Sequence, residues 1–173
     1  MITKISILSI LITLYFTAGF AQEKTKKQVK AERKIEKQNQ VEAMINARTF
    51  VFTARTAIPQ GYKTVNLNTN MYNVSFAPEN INSYLPYYGR AYSGIGYGND
   101  GGLKFEGKPE EFTVTKGKKN YTVKAVVKGE RDQFSLMLTV SFEGSASLTV
   151  NSNSRSTISY NGVISEPEKP AEP

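Results

Sequence analysis

The chain has 173 residues, no Cys, no His and a formal net charge of +7. Without Cys there is no disulfide framework, no thiolate zinc site and no Cys nucleophile. Without His, Ser–His and Cys–His catalysis are excluded and the commonest transition-metal ligand is missing.

Met1 to Lys4 is short and positive, Ile5 to Thr17 is apolar, and Ala18-Gly19-Phe20-Ala21 offers small residues for a signal peptidase. The apolar run is well short of the ~20 residues a spanning helix needs. Residues 1–21 therefore read as a signal peptide cut after Ala21. With no Cys at the cut there is no lipid anchor, so the expected location is the periplasm or cell envelope. Residues 22–48 carry eight Lys or Arg against four Glu, with no Gly or Pro, and read as a basic helical segment. Its apolar residues are sparse before Val41, so the second half is expected to dock and the first to project. Residues 49–173 carry thirteen Lys or Arg against eleven Asp or Glu, a near-neutral balance that argues against a nucleic-acid partner.

From Thr49 the pattern changes to β. Phe50 to Ala54 opens it, Ile58-Pro59-Gln60-Gly61 reads as a turn, and Met71 to Phe76 reads as a strand. Leu103–Phe105 and Phe112–Thr115 follow, separated by Gly107 and Pro109. Asn120–Lys128, Phe134–Phe142 and Ala146–Val150 alternate apolar and polar residues, as half-buried antiparallel strands do. Ile158–Tyr160 and Val163-Ile164 flank Asn161-Gly162, which reads as a two-residue hairpin turn. The expected architecture is all-β: an antiparallel meander of about seven to nine strands over residues 49–165, closed as a barrel or curled sheet. Residues 166–173 (EPEKPAEP) read as a disordered Pro/Glu tail.

Gly96-Tyr97-Gly98-Asn99-Asp100-Gly101 spells G-x-G-x-x-G. That motif holds a pyrophosphate only when it leads into a helix, and here a strand-like segment follows, so no nucleotide cofactor is expected. Tyr84, Tyr87, Tyr88, Tyr92 and Tyr97 instead cluster around Arg90. Aromatic rings with hydroxyl tips stack sugars, lipids or peptides, or they fill a core and rim. Glu106, Glu110, Glu111, Glu130 and Asp132 fall near turns, where a carboxylate-only hydrolase is the minor reading. No D-x-D-x-D-G loop suggests calcium.

Tyr84-Leu85-Pro86-Tyr87-Tyr88-Gly89-Arg90-Ala91-Tyr92, Gly101-Gly102-Leu103-Lys104-Phe105, Ser145–Val150, Arg155 and Ile158-Ser159-Tyr160-Asn161-Gly162 together resemble the family called domain of unknown function 4251. The resemblance covers about Val41 to Ile164, and the Leu-Pro-Tyr-aromatic-Gly-Arg-Ala-Tyr run is specific. It implies an exported protein of Bacteroidota with a lipocalin-like β-barrel, and no established activity or ligand. Ser154 precedes Arg155 where the family pattern has Asn. The resulting expectation is a non-enzymatic periplasmic or envelope module that binds a small apolar or glycan-like ligand. Its site would comprise Tyr87, Tyr88, Arg90, Tyr92, Tyr97 and Arg155, with no cofactor or metal. The alternative is a structural or inhibitor-like protein–protein module with a filled barrel, docking an envelope protein through residues 22–48.

Overall fold

The computed structural model describes residues 25–69, 71–92, 101–129 and 132–167. The expected signal peptide, Tyr97 with most of the G-x-G-x-x-G, Glu130 and the tail beyond Pro167 lie outside them. The chain divides into two compact units between Lys34 and Ile35, and the second, Ile35–Pro173, contains the barrel.

Helix α1 runs Lys26–Ala47. It starts there because Thr25 and Gln28 form a capping box: Gln28 N donates to Thr25 Oγ1 at 3.4 Å, and Thr25 N donates to Gln28 Oε1 at 2.9 Å. It stops because Arg48 takes a left-handed φ of 54°, while Arg48 N and Thr49 N donate back to the carbonyls of Ile45 and Met44. Val41 and Ile45 are its buried residues, so the second half docks as expected.

Ten strands follow: β1 Phe50–Pro59, β2 Val65–Asn66, β3 Asn73–Ala77, β4 Asn80–Leu85, β5 Leu103–Gly107, β6 Pro109–Lys116, β7 Asn120–Lys128, β8 Gln133–Ser141, β9 Ser145–Ser152 and β10 Ile158–Ser165. Nine form one path, β5-β4-β3-β1-β10-β9-β8-β7-β6, and the short β2 pairs with β1 off it. Every ladder along the path is antiparallel. The strand directions therefore alternate, and β5 and β6, at the two ends of the path, run the same way. They are also consecutive, joined only by Lys108. One long strand bends at Gly107-Lys108-Pro109, pairing first with β4 and then with β7, and this bend nearly closes the barrel. Pro109, which has no N–H to give, takes the first position of its strand.

Alternate residues point inward. Phe50, Phe52, Phe76, Leu136, Leu138, Leu148 and Tyr160 are fully buried there. Phe50 stacks on Phe76 at 4.7 Å between ring centres, and Phe105 on Phe134 at 4.1 Å. The inward aromatics thus fill space that an open barrel would leave for a ligand. Concavities among the described residues lie elsewhere, two of them on the outside of the barrel. One, of about 520 Å³, is lined by Val51, Thr53, Arg55, Asn73 and Val163 among others, on the outer wall. The other, of about 380 Å³, lies between the C-terminus of α1 and β6.

Three expectations are corrected. Asn161-Gly162 is not a turn: β10 runs straight through it. Gly162 is there because β1 crosses so closely that a Cβ would lie 2.0 Å from the Thr53 carbonyl oxygen, next to a bulge between Ala54 and Thr56. Ile58 and Pro59 belong to β1, and the turn falls one step later, with Tyr62 N donating to the Pro59 carbonyl and Gly61 at a φ of 78°. β2 and β4 were not anticipated; β4, NINSYL, reads as polar because its outward residues are Asn80, Asn82 and Tyr84.

Candidate functional site

The strand directions put two different structures at the two ends of the barrel. At one end, the docked half of α1 lies against the start of β7 and the β8–β9 turn. There Glu42 is paired with Lys116, which also lies over the Tyr121 ring, and Val41 sits beside Gly144. The opposite end carries the β1–β2 loop, the segment after β4, the β7–β8 loop and the β9–β10 loop. The candidate residues are at this second end.

Tyr87 is half-buried, and its hydroxyl lies 2.7 Å from the Arg90 carbonyl, 3.0 Å from the Ser156 carbonyl and 2.8 Å from Ser156 Oγ. Ser156 Oγ also accepts from Arg90 N at 3.1 Å. This knot explains the Gly of Tyr-Tyr-Gly-Arg: a Cβ on Gly89 would lie 2.3 Å from the Tyr87 hydroxyl and 2.6 Å from Ser156 Oγ. The main chain is stapled to the β9–β10 loop as well, with Tyr92 N donating to Ser154 O, Ser156 N donating to Arg90 O, and Ala91 bridging to Arg155. Below the knot the Tyr160 hydroxyl donates to the Pro86 carbonyl at 2.6 Å. Burial pushes the Tyr160 phenol far above its ordinary pKa, with Tyr87 and Tyr88 adding to the effect.

Arg155 holds both ends of the segment between Tyr92 and Gly101. Its backbone pairs with Ala91, and its Nη1 donates to the carbonyls of Gly101 and Gly102 at 2.8 and 2.9 Å. Its guanidinium also lies over the Tyr87 ring, 5.2 Å from the centre.

The remaining side chains face solvent. Tyr88 is 40% exposed and Tyr92 70%. Arg90 is exposed and donates through Nε to the Tyr62 hydroxyl at 3.2 Å, a bond that raises its pKa. Tyr62, itself 52% exposed, was missed from the sequence. Its only signal is its place directly after the Gly61 turn. The sequence set thus divides: Tyr87 and Arg155 are engaged in holding the loops, while Tyr88, Arg90 and Tyr92, joined by Tyr62, form an exposed aromatic rim.

Asp132 supports this arrangement from the β7–β8 loop. Its carboxylate accepts from the hydroxyls of Ser152 and Ser154 and from the amides of Gln133 and Asn153. Partial burial works to raise its pKa, but those four bonds outweigh it and hold the carboxyl below its ordinary value. The hint in the sequence was Asn151-Ser152-Asn153-Ser154, a run of short polar side chains between two strands. Ser154, which departs from the family pattern, is one of the carboxylate's donors. Of the other carboxylates, Glu106 accepts from Asn80 and Asn82 on the outer wall, and Glu110 and Glu111 are exposed on β6. Among the described residues no group of three acidic side chains is placed to hold a metal ion.

The family described as Domain of unknown function (DUF4251) matches residues 32–164. The chain belongs to this family. A DUF4251 family protein from Bacteroides eggerthii, solved by crystallography at 1.95 Å, has a similar fold: 18% identity over 76% of this chain and 88% of that one, with a TM-score of 0.59. No curated protein matches the chain. As a DUF4251 domain, the chain has the nearly closed antiparallel barrel and the N-terminal helix expected of it. No helix among the described residues is long and apolar enough to cross a membrane.

Proposed function

We propose that this DUF4251 protein is an exported, non-enzymatic envelope module that binds a glycan at the rim of its barrel. One observation carries the reading. The hydroxyls of Tyr87 and Tyr160 and the guanidinium of Arg155 are engaged with backbone carbonyls, while Tyr62, Tyr88, Arg90 and Tyr92 stay exposed beside them. Exposed aromatic rings on anchored backbone present flat faces to the C–H faces of sugars, and their hydroxyls and a guanidinium supply donors at the edges. The packed interior favours this rim over an apolar ligand inside the barrel.

The test is an NMR titration with soluble β-1,4-linked N-acetylglucosamine oligomers and with muropeptides. Ring signals of Tyr88 and Tyr92 should shift, and Tyr160 should not. A double Tyr88→Ala, Tyr92→Ala variant should weaken binding roughly tenfold or more. An unchanged spectrum at millimolar glycan would remove the reading.

A further inference from the structure

We infer that the N-terminal half of α1 is an electrostatic docking strip for an anionic phospholipid surface. Lys26, Lys27, Lys30, Arg33 and Lys34 are five cations within nine residues, with Glu32 the one carboxylate among them. At 3.6 residues per turn all five fall within an arc of about 120°, and Glu32 lies on the opposite side. Each of the five is exposed. The charges are therefore sorted on the helix as well as concentrated in the sequence.

The chemistry of the strip selects its partner. Four of the five cations are Lys, compact point charges on flexible stems, which suit mobile phosphate headgroups better than a fixed bidentate carboxylate site. The strip holds no large apolar residue, and a helix docking in a protein groove uses apolar anchors at helical spacing. A straight row of about 12 Å of positive charge suits a plane of negative charge, and each Lys or Arg near such a surface contributes about 1 kcal/mol. The capping box at Thr25 and Gln28 fixes where this row begins.

The test uses the chain from Gln22 onward, which retains every described residue, and sediments it with vesicles. Phosphatidylcholine alone is compared with phosphatidylcholine containing about a third phosphatidylglycerol. Binding should be at least about tenfold stronger to the anionic vesicles and should fall steeply between about 50 and 500 mM salt. Lys30→Gln and Gln28→Glu change the net charge by the same amount on opposite faces, and Glu preserves the capping box. Lys30→Gln should weaken vesicle binding about fivefold, clearly more than Gln28→Glu. Equal binding to both vesicles, equal loss in the two variants, or binding to soluble polyphosphate as strong as to the anionic vesicles would each overturn the inference. Circular dichroism confirms that each variant keeps its helix and its barrel.

Discussion

Tyr160 of β10 donates its buried hydroxyl to the carbonyl of Pro86, 74 positions earlier, at 2.6 Å. The bond fastens the segment leaving β4 to the barrel interior. Tyr160→Phe keeps the ring and leaves the Pro86 carbonyl without this donor. We expect a loss of about 1–3 kcal/mol, or several degrees in Tm. Tyr88→Phe, on an exposed ring, should change Tm little. Equal midpoints for Tyr160→Phe and wild type in urea would mean that the bond contributes nothing.

Gly162 tests the correction to β10. A hairpin turn would need its glycine for a positive φ, whereas β10 needs it for space against Thr53. In Gly162→Ala the new methyl meets backbone, which has no rotamer with which to yield. The β1–β10 ladder must then open, at a loss of about 2 kcal/mol or more. Urea unfolding measures it, and protection of the Thr53 and Gly162 amides should fall with stability. A change below about 0.5 kcal/mol would show that the two strands sit further apart than described.

The same contrast shows what was legible in the sequence. Strands β7, β8 and β9 were readable because they are long, have one apolar face and carry flexible residues at their turns. β4 was hidden because three of its six side chains point to solvent as Asn80, Asn82 and Tyr84. Asn161-Gly162 misled because a glycine admitting a neighbouring strand looks, in sequence, like one that turns the chain. At the rim, the density of tyrosine was visible, but the division of labour among them was not. Besides the nearby Arg90 carbonyl, Tyr87 is distinguished from Tyr88 by Ser156 and Arg155, both more than 65 positions away. Such pairings depend on the register of β10 against β1, which no local pattern encodes.

Arg155 is expected to be irreplaceable by Lys. Its Nη1 serves two carbonyls while the body of the guanidinium lies over the Tyr87 ring, and a single-point ammonium cannot hold both positions at once. Arg155→Lys and Arg155→Ala should lose similar stability, about 1–3 kcal/mol. Hydrogen exchange should quicken at Tyr92 and Ser156, whose amides staple the two segments, while β7 and β8 stay protected. A Lys variant as stable as wild type would assign the contribution to charge alone.

Asp132 gives the pH dependence. Its folded pKa lies below the ordinary value of 3.8, so its carboxylate contributes stability that is present above the unfolded pKa and lost as pH falls through the folded one. The contribution should be constant well above the ordinary value of 3.8 and should fade as pH falls through and below it. Asp132→Asn keeps two acceptor lone pairs but turns a donor toward the Ser152 and Ser154 hydroxyls, so those hydroxyls must reorient. At neutral pH it should lose about 1 kcal/mol, the usual strength of bonds to a charge discounted for solvent screening at a partly exposed site. The diagnostic is the slope. Tm measured across the acid range should fall less steeply for Asp132→Asn than for wild type, and the two curves should converge once the folded carboxyl is protonated. Parallel curves would mean that another carboxylate governs acid unfolding. Because the Ser154 carbonyl also accepts from Tyr92 N, loosening at Asp132 should reach the rim, so the glycan binding proposed above should weaken as the Asp132 carboxylate is protonated.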